Sequence, residues 1–197
     1  MAKKIKHKHG RPKKGQIQIT RQLVLDGAWD LIMEEGFAEF RLAGLAEKLG
    51  IRTPSLYNHI QDLEDVRREM KRRSLQILAD SLSSKIRNSD QGSLVISQFL
   101  NAYRGFAKTH PHMYPLTIES TESDPELKPL GDRILMICME VFRLESLDEM
   151  AVHRIRILRS LLHGFIVLEM VGGFGRKESI EDSFQKITES LVSGRLW

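Results

Sequence analysis

Apolar residues recur three and four positions apart along nearly the whole chain, and no stretch reads convincingly as a strand. The pattern predicts an all-α fold of about nine helices without an internal repeat. Val24, Ala28, Leu31 and Ile32 stripe a first helix from Thr20 to about Gly36, with Trp29 and Phe37 adding bulk. Leu42, Leu45, Ala46 and Leu49 give a second helix one buried face. Gly50 follows, where a left-handed C-terminal residue is usually Gly, and Ile51 plugs the corner. Thr53 can cap a short third helix with Pro54 at its first position, where a missing N–H does no harm. That helix carries Ser55, Tyr57, Asn58 and His59, with Leu56 and Ile60 facing inward.

Asp62 caps a long fourth helix bearing Leu63, Val66, Met70, Ile77 and Leu78, whose other side mixes acids with Arg67, Arg68, Lys71, Arg72 and Arg73. The polar run Asn88 to Gly92 breaks the pattern. Leu94 to His110 forms the next helix, with Phe99, Ala102, Tyr103 and Phe106 inward. Pro111 and Pro115 bracket a short piece holding Met113 and Tyr114. Pro125 opens a helix to about Leu144, and Asp148 caps another to about Val171. This last helix is apolar nearly all round, so it must be covered on two sides, one by its own domain and one by a second subunit. Gly172 and Gly173 end it. Ser179 with Asp182 resembles a capping box, and Ile180, Phe184, Ile187 and Leu191 stripe a final helix.

Charge changes the picture at one end. Within residues 1–21 stand Lys3, Lys4, Lys6, Lys8, Arg11, Lys13, Lys14 and Arg21, and no acid precedes Asp26. The 197-residue chain carries +4 in all, so residues 22–197 carry −4. A basic arm on a mildly acidic body suits a polyanion, nucleic acid before membrane. Residues 1–17 are expected to be disordered when free. Their Gly10-Arg11-Pro12 core, flanked by lysines, suits a narrow minor groove, although a solubilising tail would have the same composition. The one cysteine, Cys138, cannot form an internal disulfide, which fits a reducing cytoplasm. No apolar leader is present, and Arg156, Arg159, His163 and Glu169 interrupt the most apolar segment, so a soluble intracellular protein is expected.

Helix, Gly-containing turn and polar helix match the helix-turn-helix pattern, whose second helix enters a major groove. An ordinary helical hairpin has the same spacing. Candidate DNA contacts are Arg11, Arg21, Arg52, Thr53, Ser55, Tyr57, Asn58 and His59, with Asn able to bond adenine bidentately. Phe99, Tyr103, Phe106, Met113, Tyr114, Met136, Met139, His163 and Met170 form the candidate lining of an adaptable apolar pocket. His163 stands out, because a polar ring on an apolar helix needs a partner. The chain has no Gly-x-Ser-x-Gly elbow, phosphate loop or dinucleotide fingerprint, and no paired-Cys or HExxH spacing. Neither an enzyme nor a metal or cofactor is expected.

Gly36-Phe37, Leu45-Ala46, Leu49-Gly50-Ile51 and Ser55-Leu56-Tyr57-Asn58-His59 resemble the TetR family of bacterial repressors over residues 18–66. Ala102-Tyr103-Arg104, Phe106-Ala107, His110-Pro111, His163-Gly164-Phe165, Leu168-Glu169 and Gly172-Gly173-Phe174 resemble the branch with a WHG-type C-terminal domain. The resemblance implies a basic arm (1–17), a helix-turn-helix domain (18–66) and a ligand-binding and dimerisation domain (67–197). It implies a homodimer bound to a near-palindromic DNA operator and released by a small apolar effector, with no membrane association. The last two helices of each subunit would pack together through Leu158, Leu162, Phe165, Ile166, Phe184, Ile187 and Leu191. Tyr57 and His59 match positions that usually meet phosphates. Three positions depart from the family: Arg41 replaces a capping Thr or Ser, Leu63 a phosphate-binding Lys, and Arg159-Ser160 a frequent Trp. The lost cap costs about 1 kcal/mol, so another group is expected to compensate.

Overall fold

The computed structural model describes residues 18–87 and 93–194; the arm, with Arg11, lies outside the described residues. Among the described residues there are nine α-helices and no strand. They are α1 (Arg21–Glu35), α2 (Leu42–Lys48), α3 (Thr53–Leu56), α4 (Leu63–Arg87) and α5 (Ser93–Thr109). Then follow α6 (Tyr114–Ile118), α7 (Lys128–Val141), α8 (Glu149–Met170) and α9 (Ile180–Val192).

Side-chain caps place four of the nine helix starts among the described residues. The Thr20 hydroxyl accepts from Leu23 N, Asp62 from Asp65 N at 2.8 Å, Asp148 from Ala151 N at 2.8 Å and Ser179 from Asp182 N at 3.1 Å. Each satisfies an N–H that the first helical turn leaves orphaned. Two starts depart from expectation. The residue preceding α3 is Arg52, not Thr53, and it makes no side-chain cap. Helix α7 begins at Lys128, because Pro125 belongs to a turn in which Asp124 accepts from Glu126 N and Leu127 N. At Arg41 no side chain caps α2; its guanidinium donates to the carbonyls of Ala38 and Phe40, stitching the preceding turn instead.

Two apolar cores lie along α4, which spans about 37 Å without a break. The head core gathers Val24, Ala28, Ile32, Phe40, Leu45, Leu56 and Ile60 from α1–α3 and their flanks, with Val66 and Met70 from α4. The body core gathers Leu78 and Leu82 of α4 with Phe99, Tyr103, Ile137, Leu158, Leu162, Phe165 and Phe184. Met113 and Leu116, from the short α6 region, are buried in the head core, so the body holds the head through α4 and α6 together.

The apolar face of α8 divides differently from expectation. Leu158, Leu162, Phe165 and Ile166 are all under 9% exposed, and Phe184 and Leu191 of α9 are 2% exposed. These six residues are buried in the core of the single chain, where they leave little surface for a second subunit; Ile187 is half-buried against them. The apolar residues that α8 leaves in solvent are others, among them Met150, Ile157, Leu168 and Val171. Periodicity alone could not separate the two stripes, since both repeat every three to four residues.

Candidate functional site

Gly50 turns the chain between α2 and α3 at φ +65°, a region that L side chains rarely occupy. Gly50 N reaches Glu47 O at 3.0 Å and Ile51 N reaches Ala46 O at 2.9 Å, closing α2 and swinging α3 across it. Leu56 and Ile60 bury the inner side of α3, at 0% and 2% exposure. Outward stand Arg52, Tyr57 and Asn58, with Thr53, Ser55 and His59 half-buried beside them. Among the described residues, no side chain of these six makes an internal hydrogen bond, whereas the cations around them are committed. Arg21 grips Asp65 with both Nη atoms (2.8 and 2.7 Å) and donates to the His59 carbonyl at 2.6 Å. That bond holds the Asp65 carboxyl below its usual range and ties the end of α3 to the start of α4. Arg21, whose side chain is 47% exposed, thus already has a positioning role in the head beside the phosphate role expected of it.

The arginines expected to line a solvated face of α4 are likewise engaged. Arg67 pairs with Glu119, and Lys71 donates to the Ser120 carbonyl at 2.8 Å and to Glu119. Arg68 forks onto Asp124 at 2.5 and 2.7 Å, which holds that carboxyl far below the usual range. Arg73 reaches Asp26 of α1 at 2.7 Å. The connector from Thr117 to Asp124 is thereby riveted to α4.

The same connector walls a cavity of about 300 Å³ in the body. Its apolar wall includes Leu75, Phe99, Ile134, Leu135, Cys138, Ile155, Leu158 and Leu162; Tyr103, Arg159 and His163 add polar groups; the connector supplies residues 117–122. Burial pushes the Tyr103 phenol and the Cys138 thiol each up to about 12, so both stay protonated and the thiol is inert. Tyr114, fully buried, stands behind His163, with its hydroxyl 2.5 Å from Nδ1. Burial, then the Arg159 charge, pushes the His163 imidazole down to about 4, so the ring is neutral.

Of the nine residues expected to line a pocket, Phe99, Tyr103 and His163 do so. Phe106 stacks on His110 at 4.7 Å, by a separate groove between α4 and α5. Met113 belongs to the head core, Met139 packs half-buried on the body core, and Met136 is 70% exposed. Met170 sits exposed at the end of α8. Methionine frequency misled, because a thioether packs equally well anywhere apolar. Arg159 went unread as a pocket residue although a signal existed: it lies four residues, one helical turn, before His163.

Comparison with known proteins agrees with this architecture. A family described as "Tetracyclin repressor-like, C-terminal domain" matches residues 96–191. The chain is 31% identical over 183 residues to the HTH-type transcriptional regulator YobS of Bacillus subtilis (strain 168), covering 92% of this chain and 95% of that one. It is 31% identical over 176 residues to the HTH-type transcriptional regulator Rv0681 of Mycobacterium tuberculosis (strain ATCC 25618 / H37Rv), covering 83% and 79%. Among solved structures, a protein of Rhodococcus sp. RHA1 superimposes with a TM-score of 0.75 at 14% identity, over 92% of this chain and 98% of that one. The TetR family regulator PfmR of Thermus thermophilus superimposes with 0.58 at 18% identity, over 86% and 97%. Likeness at that identity speaks for the fold alone.

Proposed function

The chain belongs to the TetR family of helix-turn-helix transcriptional regulators, and from that premise we propose that it is a homodimeric, effector-released repressor. In this reading Tyr57 and His59 meet phosphates, while Thr53, Ser55 and Asn58 reach base edges and Arg52 adds charge. Arg11 enters the adjoining minor groove from the arm. Two α3 helices, one per protomer, fill successive major grooves.

The second protomer covers the outer stripe of α8. Met150, Arg154, Ile157, Leu161, Gly164, Leu168 and Val171 follow one another at alternating steps of four and three, the seam of a packed helix pair. Gly164 stands exposed in the middle, with nothing within 4 Å of where a Cβ would be, so two helices can approach closely there. This seam replaces the buried residues that periodicity suggested.

The connector carries the effector half of the reading. Residues 117–122 wall the cavity, while Glu119, Ser120 and Asp124 of the same segment grip Arg67, Lys71 and Arg68 of α4. A ligand that shifts the connector shifts α4, and with it the head. It lowers operator affinity only by as much as it prefers the shifted state.

The test is selection of bound DNA from a random pool. A palindromic consensus with half-sites about one helical turn apart is expected. Binding without a consensus, collapsing as salt rises, would instead leave a sequence-neutral polyanion binder.

A further inference from the structure

We propose that the body cavity takes a small monoanionic acid, its carboxylate held by His163 Nε2–H and Arg159 and its apolar body lying against Phe99, Leu135 and Leu162. The inference rests on the cavity being the effector site and adds the chemical class of the effector.

Hydrogen-bond bookkeeping assigns the polarity of His163. The phenol proton of buried Tyr114 has one acceptor within reach among the described residues, His163 Nδ1 at 2.5 Å. Nδ1 therefore accepts, and the proton of the neutral ring sits on Nε2. Nε2 is buried with no partner among the described residues, on a ring that lines the cavity. A buried donor left unpaired is costly, so a ligand that supplies an acceptor there is favoured over one that supplies a donor. Since burial keeps the ring from charging, His163 by itself selects an acceptor and not a charge.

Arg159 supplies the charge. It lies in the same wall, one turn from His163, and donates only to the Ile118 carbonyl at 3.2 Å. Among the described residues no carboxylate pairs with it. Its field reaches Tyr103, Tyr114, Cys138 and His163, lowering the proton affinity of all four. Each of the three acids in the wall already has a cationic partner on its outer side: Glu119 pairs with Arg67 and Lys71, and Glu122 and Asp132 share Lys128. Arg159 is thus the one wall charge, among the described residues, without a counter-ion. A guanidinium fork matches a planar carboxylate bidentately, which neither an alcohol nor an ammonium can reproduce. At ~30 Å³ per non-hydrogen atom the cavity holds about ten, a short-chain or single-ring acid.

Octanoate, octan-1-ol and octylamine, matched in length and differing in head group, test the class by calorimetry on the full chain. Octanoate is expected to bind at least about tenfold more tightly than the other two. Arg159→Met, at an exposed position, should erase that preference while leaving octan-1-ol unchanged. His163→Phe should weaken octanoate and octan-1-ol together. Nitrogen NMR of the His163 ring should show the Nε2–H form and a shift of that nitrogen when octanoate is added. Equal binding of all three, or tighter octylamine, overturns the anion class and leaves the cavity as an effector site. Failure of all three to bind, or octanoate binding unaltered by both substitutions, overturns the site itself.

Discussion

Tyr114 and His163 illustrate how one buried pair sets both chemistry and pH response. The His163 ring has its pKa depressed from 6.5 to about 4, so between those values the unfolded chain binds a proton that the folded chain refuses. The sign follows: stability rises with pH wherever the unfolded state holds more protons, so acidification through this window destabilises the fold. The full effect is about 3 kcal/mol at most, reached near pH 4. Comparing urea midpoints of wild type and His163→Leu at pH 7 and pH 4.5 isolates it. The wild type should lose more stability on acidification than the variant, and parallel losses would show the ring to be charged in the folded state. Arg159 shows the limit of reading residues singly. As a lone letter in a helix it looks solvated, and its relation to His163 becomes chemistry only when a cavity lies against both.

Gly50 and Arg104 govern elements. A Cβ on Gly50 would meet nothing within 4 Å, so Gly50→Ala carries only the cost of φ +65°, about 1 kcal/mol. Thermal unfolding should shift by about 3 °C, and operator affinity should fall as α3 tilts. A larger destabilisation would mean that the turn is packed more tightly than its open surroundings indicate. Arg104, 4% exposed, is clamped between α8 and α9: it forks onto Glu169 at 2.7 and 2.6 Å, reaches Glu181 at 2.7 Å and lies 4.4 Å from the Phe184 ring centroid. Arg104→Ala should cost about 2–3 kcal/mol in chemical denaturation, less than the roughly 3–5 kcal/mol of a buried pair left wholly unpartnered. The moderation comes from Lys108, which stays 3.1 Å from Glu169. Helix existence and caps were legible in the chain, because Thr20, Asp62, Asp148 and Ser179 each satisfy an N–H within three residues of themselves. The start of α7 was not, since Pro125 serves a turn as readily as a helix.

In the proposed homodimer the outer stripe of α8 and the basic arm act on the assembly as a whole. Leu168→Glu puts a charge into the α8 seam while touching none of the cavity wall, so sedimentation should report a folded monomer with weakened binding to a palindromic site. A Leu168→Glu protein that remains a dimer would place the interface elsewhere. Deleting residues 1–16 removes seven cations and should flatten the salt dependence of operator binding by up to about 0.9 for each phosphate that the arm no longer neutralises. An unchanged slope would mean that the arm does not touch DNA. Ion pairing and hydrogen bonding of Arg67, Lys71 and Arg68 to the connector also link α4 to the body beyond residue 66.

Local information was enough for the helix-turn-helix, because its turn and inward face involve residues within about twenty positions of one another. It was also enough for the all-α class, since helical hydrogen bonds close within four residues. Which stripe of α8 faces inward, whether a methionine reaches the cavity and which arginines remain free depended on partners far away along the chain. Phe165 is buried because Phe174 and Phe184 fold over it, and Arg21 is neutralised because Asp65 lies opposite. Periodicity says that a side chain is apolar on one face; only packing in three dimensions chooses what that face meets, because burial and charge pairing depend on distance in space and not along the chain.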